Sequence, residues 1–267
     1  PNEFAEVMGN LSSKEETDIL LSFENVSLKY EGDSHEVLEN LTFSLKKGET
    51  LGIIGGTGSG KTSLISLIPK FYRPTSGTIR MFGQSLENIP TEELRQKIGI
   101  VPQKAVLFRG TIAENLRWGN ADATTQELYE ALEIAQAKEM VEQKPNQLEY
   151  VLEQEGRNLS GGQKQRLTIA RAIVRKPEIL ILDDSSSALD YATDSALRKA
   201  ISKAPFKPTT IIVSQRAASV MQAHQIIVME KGKIVGIGTH EELLETNAIY
   251  QEITASQFQK EEQHHEA

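Results

Sequence analysis

Eight residues constrain this chain more than any others. Gly55, Gly56, Thr57, Gly58, Ser59, Gly60, Lys61 and Thr62 form G-x-x-x-x-G-K-[ST] between two apolar segments of different period. Leu51, Ile53 and Ile54 precede the loop as a short apolar run suited to a buried strand, and Leu64, Ile65, Leu67 and Ile68 follow at helical spacing. The loop is therefore expected on a strand-to-helix turn. Glycines there let backbone N–H groups turn inward around phosphate oxygens, and the helix N-terminus adds partial positive charge. On that reading Lys61 reaches the β- and γ-phosphates of a nucleotide, the Thr62 hydroxyl ligates Mg²⁺, and Ser63 completes the stretch. A flexible Gly/Ser turn has the same composition, but the flanking strand and helix favour the phosphate reading.

Ile179-Leu180-Ile181-Leu182-Asp183-Asp184 reads as a buried strand ending in two carboxylates. Asp183 then emerges at the carboxyl edge of an α/β sheet, where ligands bind, and holds Mg²⁺ through water. Taken alone, such a run also describes a plain strand and turn. Further upstream, Ser160 and Gln163 have capping-box spacing ahead of a helical stretch, Lys164 to Arg175, with Leu167, Ala170, Ile173 and Val174 on its apolar side. Gly161 and Gly162 leave the first amides of that helix uncovered, so its N-terminus can meet an anion.

The glycine loop, the Asp183 strand and Leu159-Ser160-Gly161-Gly162-Gln163 resemble the nucleotide-binding domain of ATP-binding cassette (ABC) transporters, from about Leu20 to about Ile253. The resemblance implies a P-loop NTPase (RecA-like) α/β core, an antiparallel β subdomain and an inserted α-helical subdomain. It implies ATP and Mg²⁺ as cofactors, and a second nucleotide-binding domain whose γ-phosphate is met by Ser160, Gly162 and Gln163. Tyr30 matches the aromatic platform for adenine. Gln103, after Ile98-Gly99-Ile100-Val101-Pro102, matches the glutamine that contacts Mg²⁺ and the attacking water and lies beside the membrane partner. Ser187-Ala188-Leu189-Asp190 matches the loop that crosses the dimer interface, and the stretch Val101 to Asn115 resembles the exporter branch.

Composition limits this reading without supplying it. The chain of 267 residues, 39% hydrophobic, can bury one sizeable core. No apolar run approaches the ~18 residues of a membrane-spanning helix, and no secretory signal is visible. A membrane protein of this family would hold such a domain at the cytoplasmic face of the cell membrane. The absence of Cys excludes disulfides and thiolate metal sites. A net charge of −8 argues against a nucleic-acid partner, which calls for a basic face.

Residues 1–18 read as a linker from a missing membrane domain, or alternatively as the start of a complete small protein whose Met was trimmed before Pro1. The resemblance implies a nucleotide-binding domain over residues 19–255, with the helical subdomain at about 104–175; 256–267 read as a polar tail, of which Gln259 to Ala267 are expected to be disordered. Capping boxes are expected at Thr111/Glu114, Thr124/Glu127 and Thr239/Glu242, and a hairpin at Met229 to Ile234.

Two departures from the family pattern carry the finer reading. Asp184 stands where the family places a Glu that polarises the attacking water, one methylene shorter. A base displaced by roughly 1 Å can cost on the order of 10²-fold in rate. Gln215 stands where the family places a switch His, and it carries no charge at any pH. The pair resembles one subunit of heterodimeric multidrug-type exporters, whose partner keeps Glu and His. Three functions stay open: an energy-coupling ATPase subunit of such an exporter, an ATP-dependent dimerisation clamp with little turnover, and a soluble ABC ATPase of translation or DNA repair.

Overall fold

A computed structural model describes residues 18–265, with side chains described through Gln257. The chain opens with strands β1 (Ile19–Leu28), β2 (Leu38–Lys46) and β3 (Thr50–Ile54). After the glycine loop come α1 (Lys61–Leu67), β4 (Ser76–Met81), β5 (Gln84–Ser85), α2 (Thr91–Gln96) and β6 (Ile98–Val101). A mainly helical excursion follows, with β7 (Gly110–Thr111), α3 (Ile112–Arg117), α4 (Thr125–Ile134), α5 (Lys138–Glu142), β8 (Val151–Leu152) and α6 (Gly161–Ile173). The chain returns through β9 (Ile179–Asp183), α7 (Tyr191–Ser202), β10 (Thr209–Ser214), α8 (Ala217–Val220), β11 (Gln225–Glu230) and β12 (Lys233–Gly238). It ends in α9 (His240–Thr246) and α10 (Ala248–His265).

The central sheet has the order β12-β11-β3-β10-β9-β6, parallel except for β12. Both of its faces are covered, which explains why its strands read as near-continuous apolar runs. The period of two decides which face each side chain joins. Ile179 and Ile181 of β9 share a core with Leu64, Ile65 and Leu67 of α1, while Leu180 and Leu182 share the other core with Leu167, Ile169 and Ala170 of α6. A second, antiparallel sheet, β2-β1-β4-β5, packs into the first of these cores. Its register sets Phe23 opposite Phe43, and the two rings stack with centroids 4.6 Å apart.

All four capping boxes are present, at Thr111/Glu114, Thr124/Glu127, Ser160/Gln163 and Thr239/Glu242. Each satisfies two backbone donors that a helix start otherwise leaves unpaired. The Met229–Ile234 hairpin is likewise found, turning at Lys231 and Gly232.

The backbone is helical through His265, so α10 runs across residue 255, where the sequence reading set the end of the domain. Tyr250 and Thr254 are buried and anchor the first turns. The Gln, Lys and Glu residues beyond them are good helix formers, and extending an existing helix avoids the cost of nucleation. The expectation of a linker at residues 1–18 lies outside the described residues except for Asp18. Among the described residues no helix is long and apolar enough to cross a membrane.

Candidate functional site

The register of the parallel strands lines up their carboxyl ends. Ser214 of β10 pairs with Ile54 of β3, Asp183 of β9 with Val213, and Val101 of β6 with Leu182. The glycine loop, Gln103, Asp184 and Gln215 therefore all leave the sheet along one edge, with β3 and β9 on either side of β10.

The loop Gly55 to Gly60 owes its shape to specific glycines. Gly58 and Gly60 have φ of +77° and +99°, a region that L side chains rarely adopt. At Gly55 a Cβ would run into the Met229 carbonyl oxygen and would lie 2.7 Å from Ser59 Oγ. The Gly232 amide holds the far side of the loop by donating to Ser59 O at 3.0 Å. Gly56, Thr57 and Gly58 are exposed, and a Cβ at Gly56 or Gly58 would meet nothing within 4 Å.

Lys61 folds back into this loop. Its ammonium donates to Gly55 O at 2.8 Å, Gly56 O at 2.7 Å and Ser59 Oγ at 3.2 Å. Burial pulls its pKa below the usual lysine value, while the charges of Asp184 and Asp183 oppose that shift. Thr62 is exposed at the first turn of α1. Ser63 Oγ accepts from Tyr30 Oη at 2.9 Å, and the Tyr30 ring, just past the end of β1, meets the edge of Tyr72 at 4.8 Å.

Asp183 is only partly exposed, and burial raises its pKa, helped by Asp184 and opposed by Lys61. Asp184 has a left-handed backbone, φ +44°, and its amide donates to Val213 O at 2.8 Å. Gln103 Nε2 donates to Asp184 Oδ2 at 3.1 Å. Burial also raises the pKa of Asp184, against the Arg216 charge, the Gln103 bond, Lys61 and the Gln215 backbone N–H. Gln215 itself is exposed at the end of β10.

Ser160, Gly162 and Gln163 form the start of α6. Ser160 Oγ accepts from the Gln163 amide at 3.3 Å, and Gln163 Oε1 accepts from the Ser160 amide at 3.1 Å. A Cβ on Gly162 would stand 3.2 Å from Ala188 O, so this glycine permits α6 to approach the loop after β9. That loop ends at Asp190, which caps α7 by accepting from Thr193 N at 2.9 Å. The structure thus gathers Lys61, Asp183, Asp184 and Gln103 in one cluster beside Gln215, while Gly162, between Ser160 and Gln163 at the start of α6, lies close to Ala188 of loop 184–190.

The donor set fits a nucleotide and Mg²⁺. The ion prefers oxygen ligands and is usually held by one or two carboxylates together with substrate phosphates. Asp183, the Thr62 hydroxyl and the Gln103 amide offer that chemistry. Among the described residues no group of three or more His, Cys, Asp or Glu could hold a metal by protein ligands alone. Sequence reasoning missed three neighbours. Tyr72 abuts Tyr30, Arg216 reaches Ser187 O at 3.3 Å, and Gln257 bonds the turn that carries Gln215. Only Arg216 sat beside a residue the sequence singled out.

An α/β sheet whose glycine loop, lysine and paired carboxylates converge at its carboxyl edge defines a P-loop nucleotide-binding protein. The family model for ABC transporters matches residues 38–187, and the chain belongs to that family as an ATP-binding domain. It is 46% identical over 241 residues to the uncharacterized ABC transporter ATP-binding protein YfiB of Bacillus subtilis (strain 168), covering 90% of this chain and 42% of that protein. It is 38% identical to an ATP-dependent lipid A-core flippase of Chromobacterium violaceum, covering 89% of this chain and 41% of the flippase. A bacterial Atm1-family ABC exporter solved with ATP bound superposes with a TM-score of 0.85 at 32% identity, over 90% of this chain and 42% of the exporter. The chain spans about two-fifths of the length of these relatives.

Proposed function

We propose that this chain is the energy-coupling ATP-binding domain of a heterodimeric ABC exporter, at the cytoplasmic face of a membrane. It binds Mg-ATP at a site with a weakened catalytic base and lends its Ser160–Gln163 signature to the partner's hydrolytic site. The observation that carries the reading is the cluster of Lys61, Asp183, Asp184 and Gln103 beside Gln215 on one sheet edge.

Adenine stacks on Tyr30, whose ring is fixed through its hydroxyl by Ser63. The amides of Gly56 to Gly60 and the Lys61 ammonium take the phosphates, with Lys61 exchanging its bonds to Gly55 O and Gly56 O for phosphate oxygens. Thr62, Gln103 and Asp183 would hold Mg²⁺, which would supply positive charge against the phosphates. Asp184 stands at the place of the water-activating carboxylate and is held by Gln103, with a side chain one methylene shorter than Glu. Gln215 can orient by hydrogen bonding and adds no charge.

An exposed patch beyond Gln103 suits the transmembrane partner. Phe108 and Trp118 stack with centroids 4.6 Å apart while remaining 42% and 68% exposed, and Val106 lies beside them in sequence. Asn115 fixes the patch by accepting from Phe108 N at 2.8 Å and donating to Phe108 O at 2.9 Å. Asp184 and Gln215 also favour a second reading, in which the chain is an ATP-dependent dimerisation clamp with negligible turnover.

Equilibrium titration of the chain with Mg-ATP tests the assignment. Lys61→Ala is expected to weaken affinity at least about tenfold, the cost of a lost charge-assisted hydrogen bond. Unchanged affinity in that variant would remove the glycine loop as the nucleotide site.

A further inference from the structure

We propose that Gln257, on the C-terminal helix α10, is a positioning residue that sets the turn carrying Gln215. The inference rests on the reading of Gln215 as the residue facing the nucleotide. Gln257 uses both ends of its amide. Nε2 donates to Gln215 O at 2.6 Å, and Oε1 accepts from Ala217 N at 2.7 Å. These two backbone groups flank a single residue, Arg216, so one side chain spans the whole turn between β10 and α8.

The turn is held from its other side as well. The Arg216 guanidinium donates to Ser186 O at 3.5 Å and Ser187 O at 3.3 Å in the loop after β9. The Arg216 amide donates to Ser214 Oγ at 2.9 Å, and Ser214 is fully buried at the end of β10. The Gln215 backbone N–H faces the Asp184 carboxylate. With its N–H turned to Asp184 and its C=O tied to Gln257, Gln215 has its Cα–Cβ direction set by its own backbone, even though its side chain is exposed. The bonds run between residues 42 and 40 positions apart, so α10 and the sheet edge must dock together before the turn takes this form.

An amide suits the position because one end must donate and the other accept. A carboxylate would set an acceptor against Gln215 O, and an aliphatic side chain would leave both backbone groups unpaired. The helix itself does not need Gln257, since Tyr250 and Thr254 bury its first turns. Loss of the clamp therefore loosens the turn without undocking α10.

Two measurements on Gln257→Leu test this. The first is amide hydrogen exchange of the chain without nucleotide, read at Arg216, whose amide bonds Ser214 and not Gln257. Exchange there is expected to rise about fivefold, the scale of one hydrogen bond's net worth, with β9 and β10 amides unchanged. No change at Arg216 overturns the clamp. The second is a double-mutant cycle with Gln215→Ala, read as steady-state ATP turnover of the assembled complex in a Ser160→Arg background, which closes the partner-held site and leaves the one this chain holds. Gln257→Leu is expected to change kcat severalfold with KM kept, and to change nothing further in the Gln215→Ala background. Additive effects overturn action through Gln215. A chain that failed to bind Mg-ATP yet gave the expected exchange would count against the proposed function and leave the clamp standing, because the first measurement uses no nucleotide.

Discussion

Gln103 and Asp184 are 81 residues apart in sequence and 3.1 Å apart in the fold, amide nitrogen to carboxylate oxygen. The bond crosses from the loop after β6 to the loop after β9, and the parallel pairing of those strands makes it possible. Next to Gln103, Pro102 offers its carbonyl to the buried Gln165 of α6 at 3.5 Å. The loop after β6 is thus hydrogen-bonded both to Asp184 and to α6, the helix capped by Ser160.

The Tyr30 ring is fixed by two contacts, the Ser63 hydroxyl and the edge of Tyr72. Tyr30→Ala is expected to weaken ATP binding roughly tenfold, within the range of base–aromatic stacking. Tyr30→Phe keeps the ring and loses only the bond to Ser63, so its effect should be several times smaller. Titrations of both variants with ATP and GTP give the check, and similar losses for both nucleotides are expected because stacking discriminates little between bases.

Asp184→Glu restores the missing methylene in the cluster with Gln103 and Lys61. Turnover at the site this chain holds, read at saturating ATP in a complex whose partner-held site is closed by Ser160→Arg, is expected to rise at least about tenfold, part of the penalty for a base held roughly 1 Å too far away. The gain should grow further with Gln215→His. No gain in either variant would mean that something other than carboxylate reach limits this site.

Helix starts were legible because a capping box is a local device: Thr111, Thr124, Ser160 and Thr239 each need only a partner three residues on. The central strands were legible as short apolar runs, and the order of motifs gave the sheet edge. What the sequence hid was long-range. Nothing near Gln257 signals that its amide meets Gln215 and Ala217, because the match is one of distance and donor direction. The β7–β8 ladder is two residues long on each side, too short for a periodic signal. The helical tail was hidden for the opposite reason, since its Gln, Glu and Lys composition suits solvated coil and helix equally.

Glu127 and Lys176 tie α4 to the segment after α6 at 2.8 Å. The Lys176 hydrogen bond, followed by bonds from Thr124, lowers the Glu127 pKa from 4.5 to about 2. The folded pKa is depressed, so this contribution to stability is present above pH 4.5 and fades as pH falls toward 2. In Lys176→Met the Glu127 midpoint should move up but stop short of 4.5, because the Thr124 bonds remain. Carboxyl chemical shifts followed by NMR between pH 6 and about 2 read the midpoint directly. The variant should also lose less stability on acidification than the parent. An unmoved midpoint would mean that Thr124 alone sets it.

The asymmetric reading gives the two ends of this chain different sites to serve. On that reading Lys61, Asp183 and Asp184 would act on the nucleotide this chain holds, while the first amides of α6 would close over the one held by the partner. Ser160 and Gly161 are exposed, and Gly162 lies close to the loop after β9, with Ala188 O 3.2 Å from where a Cβ would stand. Ser160→Arg removes the cap and puts a long side chain over those amides. Gly162→Asp adds both a tight contact with Ala188 O and a negative charge where, on this reading, a γ-phosphate would approach. Each is expected to cut ATPase activity of the assembled heterodimer at least about 10²-fold, the scale on which lost anion stabilisation acts. Asp184→Asn should cost far less, because a carboxylate that already falls short contributes little turnover. The comparison is made by steady-state ATPase at saturating ATP, with complex formation checked by sizing. Were Asp184→Asn the more damaging change, the productive site would belong to this chain, and the division of labour between its two ends would be reversed.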